Sequence, residues 1–207
     1  MRILLDNGHG SDTAGKRSPK GMIAQADQVA LYEWEFNRDI VCRLMPMLEA
    51  AKIPYDELVP ESEDISLKTR VQRANDIYMS DNSAFLVSIH ANAGGGTGWE
   101  IFTSYGQTKS DHIAEIFAQE AKKAFPEFRM RFDPNADEGA NVDSDKEAHF
   151  YMLKNTRCPA VLTENFFMDH KRDLAFIISD EGRHRIAQMH FDSIMACANY
   201  LHDHGSF

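Results

Sequence analysis

Short apolar runs alternate along the chain with stretches whose apolar residues recur at helical spacing. Arg2 to Leu5 forms a brief apolar strand that runs straight into the polar turn Asp6-Asn7-Gly8-His9-Gly10. Residues 11–24, rich in Gly, Ser, Lys and Pro, read as a loop. From about 31 to 51, Phe36, Ile40, Leu44, Met47 and Leu48 follow helical spacing and predict a helix. Pro46 inside that pattern predicts a kink or local break, because proline removes a backbone donor. A short strand over 55–59 and a helix over 66–79, carrying Leu67, Val71, Ala74 and Tyr78, come next. Ala84 to Ile89 is a nearly unbroken apolar run, which suits a strand buried on both faces. Strands over 99–104 and 159–163, a helix over 111–124, and closing helices from about 172 to 200 complete the pattern. Between 126 and 147 the chain is irregular and acidic. Strands alternating with helices predict an α/β fold, a single domain with a mostly parallel twisted sheet and helices on both faces.

Composition narrows the function classes. A chain of 207 residues with 43% hydrophobic content can bury a real core but is short for two independent domains, so one domain over 1–207 is expected. Its 32 acidic residues outnumber 22 basic ones, for a net charge of -10, and no basic cluster is interleaved with aromatics. Nucleic acid is therefore not an expected partner, since binding it requires neutralising phosphates. Cys42, Cys158 and Cys197 are an odd, widely spaced set beside apolar runs, which suits buried thiols and implies no disulfide framework. The opening residues lack a long apolar region and a small-residue cleavage site, so no Sec leader is expected. No run of about 18 apolar residues is available for membrane insertion.

Three strand-like runs end in residues with chemical potential: Asp6 to Gly10, Ser88-Ile89-His90-Ala91-Asn92, and Thr163-Glu164-Asn165. In open α/β sheets ligands bind beyond the carboxyl ends of the strands, so the three corners are expected to converge on one crevice. Taken singly, His9 reads equally well as a turn residue and His90 reads as a polar cap on a core strand. Two histidines at equivalent strand ends, however, are what a zinc site needs, and catalytic zinc takes three protein donors. Glu33 is the candidate third donor, because it shares a helix face with Asn37 at i and i+4 while its rival Glu35 points away. A lone Glu there also reads as a solvated residue favoured by the helix dipole. Glu164 is a carboxylate set in apolar sequence, where burial raises its pKa toward general acid/base use. The competing reading pairs it with a buried Arg70 or Arg73. Asp6 and Asn92 are candidates to orient the histidines, and each also reads as a turn residue. Gly94-Gly95-Gly96 lacks the ending of a phosphate-binding loop and reads as a flexible turn.

These residues together resemble the zinc-dependent N-acetylmuramoyl-L-alanine amidases of the amidase 3 type, found in bacterial autolysins and phage endolysins. Asp6-Asn7-Gly8-His9-Gly10 is similar to the family's Asp-x-Gly-His-Gly, and Glu33 to Asn37 to its Glu-x-x-x-Asn. Leu67, Arg70 and Ala74-Asn75 resemble the helix before the third motif, and Val87 to Asn92 the Ser-Ile-His-x-Asn segment. Cys158 to Phe167 resembles Pro-Ala-Val-Leu-x-Glu. The resemblance runs from residue 2 to about 200. It implies Zn²⁺ held by His9, Glu33 and His90, with Glu164 as the catalytic glutamate and peptidoglycan as the substrate. The chain departs from the pattern at His170 beside Asp169, expected to alter only a helix cap, and in an insert over 132–147. No separate wall-binding domain is expected. The resemblance fits a chain made in the cytoplasm that reaches the wall after release, as a phage lysin does, or one with a cytoplasmic recycling role. A stem-trimming zinc peptidase and a non-catalytic wall-binding module are the competing readings.

Overall fold

The computed structural model describes residues 1–23, 28–132 and 144–207. Among these residues six strands, β1 (Arg2–Asp6), β2 (Tyr55–Glu57), β3 (Ala84–Asn92), β4 (Trp99–Thr103), β5 (Lys146–Glu147) and β6 (Ala160–Phe167), form one sheet in the order β2-β1-β3-β6-β4-β5. β2, β1, β3 and β6 are parallel, while β4 runs against β6 and has β5 parallel to itself. The described residues also form six helices: α1 (Glu33–Ala50), α2 (Leu67–Ser80), α3 (Lys109–Ala124), α4 (Tyr151–Asn155), α5 (Lys171–Ile177) and α6 (Asp180–His204). Among the described residues no helix is long and apolar enough to cross a membrane.

The two-residue period of the strands sorts the core into two layers. Ile3, Leu5, Phe85, Val87, Ile89 and Val161 pack with the apolar faces of α1, α3, α5 and α6. Leu4, Leu86, Ala160 and Leu162 point the other way, onto Val71 and Ala74 of α2 and Met152 and Leu153 of α4. The first layer is thick and the second thin. By the same period Asp6, Ser88, His90 and Glu164 lie on the thin side, at the carboxyl ends of the strands.

Helix ends follow local chemistry. Ser66 caps α2 through Thr69 N, and Thr108 with Asp111 forms a capping box at α3, so both helices begin where the chain supplies side-chain acceptors. His170 occupies the N-cap of α5, the position expected from its departure from the family pattern. Of the kink or local break expected at Pro46, the break does not occur: α1 continues through it with Leu44 and Leu48 both anchored in the core. Each such fully buried side chain contributes about 1.5 to 3 kcal/mol, comparable with the cost of about 3 kcal/mol for an interior proline. The cysteines are free, but only Cys158 and Cys197 are buried; Cys42 is exposed on α1.

The carboxyl end of β6 is irregular. His90 pairs with Glu164, yet the next pair is Asn92 with Phe167, so β6 carries one extra residue there. Phe166 takes up the distortion with φ of 68°, a left-handed conformation that L-residues with a side chain rarely adopt. Its ring is held among Phe125, Phe128 and Phe176.

Candidate active site

His9, Glu33 and His90 come together from three separated parts of the chain. Their ligand atoms all lie within 4.8 Å of one another, the one such cluster among the described residues. His90 Nδ1 is 3.0 Å from Glu33 Oε1, and His9 Nε2 is 3.3 Å from the same oxygen. The imidazoles meet edge to face with centroids 5.1 Å apart.

Each position has a local cause. His9 follows Gly8, whose φ of 67° turns the chain sharply at the end of β1. A Cβ at Gly8 would stand 2.5 Å from Asn37 Nδ2 and 2.8 Å from His90 Cε1, so only glycine lets the loop lie against both. Arg38 then fixes the loop by donating to the His9 carbonyl at 2.6 Å. Glu33 opens α1, its N–H bonded to Lys16 O, and its side chain is only 1% exposed. Glu35 lies elsewhere, in an ion pair with Arg183 of α6.

The cluster's electrostatics suit a cation. Burial works against ionising Glu33, but the two imidazoles outweigh it and hold the carboxyl well below its ordinary range. Burial likewise opposes charge on His90, and Glu33 more than reverses that. His9 Nε2 and Glu33 Oε2 are buried and make no hydrogen bond among the described residues. Such orphaned atoms cost about 1 to 3 kcal/mol each, and a cation between them would satisfy both.

Glu164 stands beside this cluster on the neighbouring strand, at the register position of His90. It lines a cavity of about 330 Å³ with Lys16, Ala91, Asn92 and Met168. Burial pushes its pKa up to about 7; His90 and Lys16 oppose the shift, while Glu33 and Glu100 add to it. Among the described residues its Oε2 has no hydrogen-bond partner. The alternative pairing with arginine does not occur, because Arg70 binds Asp6 and Asp64 and Arg73 binds Glu61.

Asp6 and Asn92, each read either as orienting a histidine or as a turn residue, make other bonds among the described residues. Asp6 accepts from Arg70 Nη1 at 3.3 Å and Ser88 Oγ at 2.6 Å, tying β1 to α2 and β3 rather than orienting either histidine. Asn92 lines the cavity but its Oδ1 accepts from Ala93 N. The glycine run is not slack either: Gly94 N and Gly95 N both donate to Asp169 Oδ2, at 2.7 and 2.8 Å.

Sequence reasoning assigns no role to Glu100 or His190, and none to Asn165, although it names that residue in the third strand-end run. Glu100 lies directly across from Glu164 and is neutralised by Arg131 and Lys146. A charged residue inside the apolar run Trp99 to Phe102 was the available signal. Asn165 donates to His90 O at 3.0 Å and accepts from Trp99 Nε1 at 3.0 Å. Its Nδ2 also reaches Thr163 Oγ1, which lies 2.9 Å from His190 Nε2, while His190 Nδ1 donates to Ile186 O at 2.8 Å. A buried ladder of polar groups thus runs from α6 to the backbone of His90.

Residues 3–196 match the family described as N-acetylmuramoyl-L-alanine amidase, Amidase_3. The chain belongs to this amidase family. It is 29% identical to the N-acetylmuramoyl-L-alanine amidase CwlM of Bacillus licheniformis over 96% of its own length and 69% of that protein's. Against the endolysin of Bacillus phage SPP1 it is 27% identical, over 95% of its length and 66% of the endolysin's. The sporulation-specific amidase of Bacillus subtilis is 29% identical, and the match spans only 58% of it. The fold of the amidase matches that of an N-acetylmuramoyl-L-alanine amidase from Clostridium difficile 630, with a TM-score of 0.76, 23% identity and 96% of both chains covered. It also matches the CwlV catalytic domain from Bacillus (Paenibacillus) polymyxa var. colistinus, with a TM-score of 0.73, 21% identity, and 96% and 98% covered. Family membership makes the amidase a hydrolase of this class.

His190 gives the amidase a testable acid limit. Burial lowers its pKa from 6.5 to about 4, against the opposing bond to Ile186. Between those values the unfolded chain holds a proton that the folded one lacks, so stability rises with pH there and is lost as pH falls from about 6.5 to 4. The full shift corresponds to about 3 kcal/mol. Urea unfolding of wild type and His190→Gln across that range checks it: the wild-type slope should be steeper. Equal slopes would remove His190 as the source.

Proposed function

We propose that this chain hydrolyses the amide between N-acetylmuramic acid and L-alanine in peptidoglycan, with zinc held by His9, Glu33 and His90 and with Glu164 as general base. The observation that carries the reading is a two-imidazole, one-carboxylate cluster with orphaned donor atoms beside a carboxyl whose pKa is near 7. Two nitrogens and one oxygen form a donor set that catalytic zinc sites use. When bound, zinc supplies Lewis acidity that polarises the scissile carbonyl and brings the pKa of water toward about 7.

Glu164 takes the proton from the attacking water and returns it to the departing L-alanine amine. A pKa of about 7 lets one carboxyl do both at neutral pH. Asn165 and Trp99 hold the His90 backbone, and the Gly8 turn sets His9, so the donors are presented without rearrangement. We further propose one catalytic domain over 1–207, acting on the cell wall.

Purified peptidoglycan digested with and without a chelator, then read by mass spectrometry, tests this. The expected products are muramic acid with a free lactyl group and peptides starting at L-alanine, both suppressed by the chelator. Cleavage between amino acids would replace the reading with a peptidase, and indifference to the chelator would remove the metal.

A further inference from the structure

The loop before α1 places one cation at the mouth of the catalytic cavity. Its backbone is fixed: Lys16 O accepts from Glu33 N, Ser18 N donates to Leu31 O, and Ser18 Oγ accepts from Ala30 N and Leu31 N. Arg17 pairs with Tyr32 in an isolated bridge. The Lys16 side chain, 47% exposed, lines the cavity together with Glu164. Among the described lining residues it is the one basic side chain.

Lys16 is poorly used within the protein. Its Nζ stands 3.8 Å from Glu33 Oε2, within ion-pair reach, but that oxygen makes no hydrogen bond. The neighbouring cations are committed: Arg38 to the carbonyls of His9 and Glu61, Arg131 and Lys146 to Glu100. An ammonium has three donors, and among the described residues Lys16 has only the long ion pair with Glu33. In a chain with net charge -10, a cation carried on a held backbone and lining this cavity is a group suited to receiving negative charge.

We infer that Lys16 forms an anion subsite that recognises the free carboxylate on the second residue of the stem peptide. This rests on the amidase reading of the same cavity. The lactyl carboxyl is consumed in the scissile amide, and that of L-alanine in the next peptide bond. The nearest remaining negative charge is then the α-carboxylate of a γ-linked D-glutamate. Where that group is amidated to D-isoglutamine, the charge disappears and only a neutral amide faces Lys16. A charge-assisted hydrogen bond is roughly twice as strong as a neutral one, so the two stems are discriminated. Recognition of this kind acts on ground state and transition state alike and appears in KM.

The experiment compares N-acetylmuramoyl-L-Ala-D-Glu γ-methylamide, whose γ-carboxyl is blocked as in the stem, with its α-amide on zinc-loaded wild type, Lys16→Met and Lys16→Arg. Wild type should prefer the carboxylate by about tenfold in kcat/KM, mainly through KM, and the preference should shrink at about 0.5 M salt. Lys16→Met should bring the ratio near one, and Lys16→Arg should keep most of it. Calorimetric titration of both compounds into zinc-loaded Glu164→Gln should give the same ratio in Kd. A wild type without preference, or a Lys16→Met protein slowed equally on both compounds, would overturn the inference. Wild type releasing L-alanine peptides from neither compound would instead bring down the amidase reading, and the subsite with it.

Discussion

Glu164→Gln is expected to lower kcat on a muramoyl dipeptide by about a hundredfold or more while bound zinc stays at the wild-type level. Glutamine keeps the shape and loses only the ability to take a proton. Glu164 is outside the His9, Glu33 and His90 cluster, so metal binding has no reason to change. Folding has none either: burial already disfavours the charge that the substitution removes, and among the described residues no arginine or lysine is bonded to its Oε2. Parallel measurement of kcat, metal content and melting temperature separates the outcomes. Near-normal turnover would remove Glu164 from the proton-transfer role, and lost metal would move it into the ligand set.

The second large effect concerns the donors themselves. Glu33→Gln should weaken zinc binding by more than about a hundredfold, beyond the roughly 10–100-fold typical of removing a residue that only supports a ligand. His9→Ala and His90→Ala should do the same, and activity should fall to background in all three. Glu35→Gln is the control, because that side chain pairs at the surface with Arg183 and faces away from the cavity. Competition with a chromogenic chelator reads the affinities, and unfolding with chelator present shows whether the apo-proteins fold alike. Undiminished zinc in any of the three would take that residue out of the set.

The parts of this site legible in sequence were those written locally. An apolar strand ending in Gly-His-Gly, another ending in His90 and a third in Glu164 announce themselves, because strand ends and glycines are local features. The helix face shared by Glu33 and Asn37 is also a matter of spacing. Partners are not. Asp6 seemed placed to orient histidines, but Arg70, 64 positions away, and Ser88, 82 away, claim both its oxygens. α4 has five residues, too few to display a helical period, and β5 has two. The left-handed Phe166 had no turn residue to announce it, since a phenylalanine cluster rather than glycine holds it there. The flexible turn read at Gly94-Gly95-Gly96 is pinned by Asp169, a contact spanning 75 positions. The insert over 132–147 lies mostly outside the described residues, and its described end, Lys146, joins Arg131 on Glu100.

The polar ladder from Ile186 through His190, Thr163 and Asn165 ends on the carbonyl of His90. Acid that charges the imidazole at its far end would leave Thr163 with no lone pair to bond to there, and the disturbance would be felt at the donor cluster before the whole chain came apart. The acid limit of folding would then be decided in the packing beneath the sheet, separately from the acid limb of turnover, which Glu164 sets near 7.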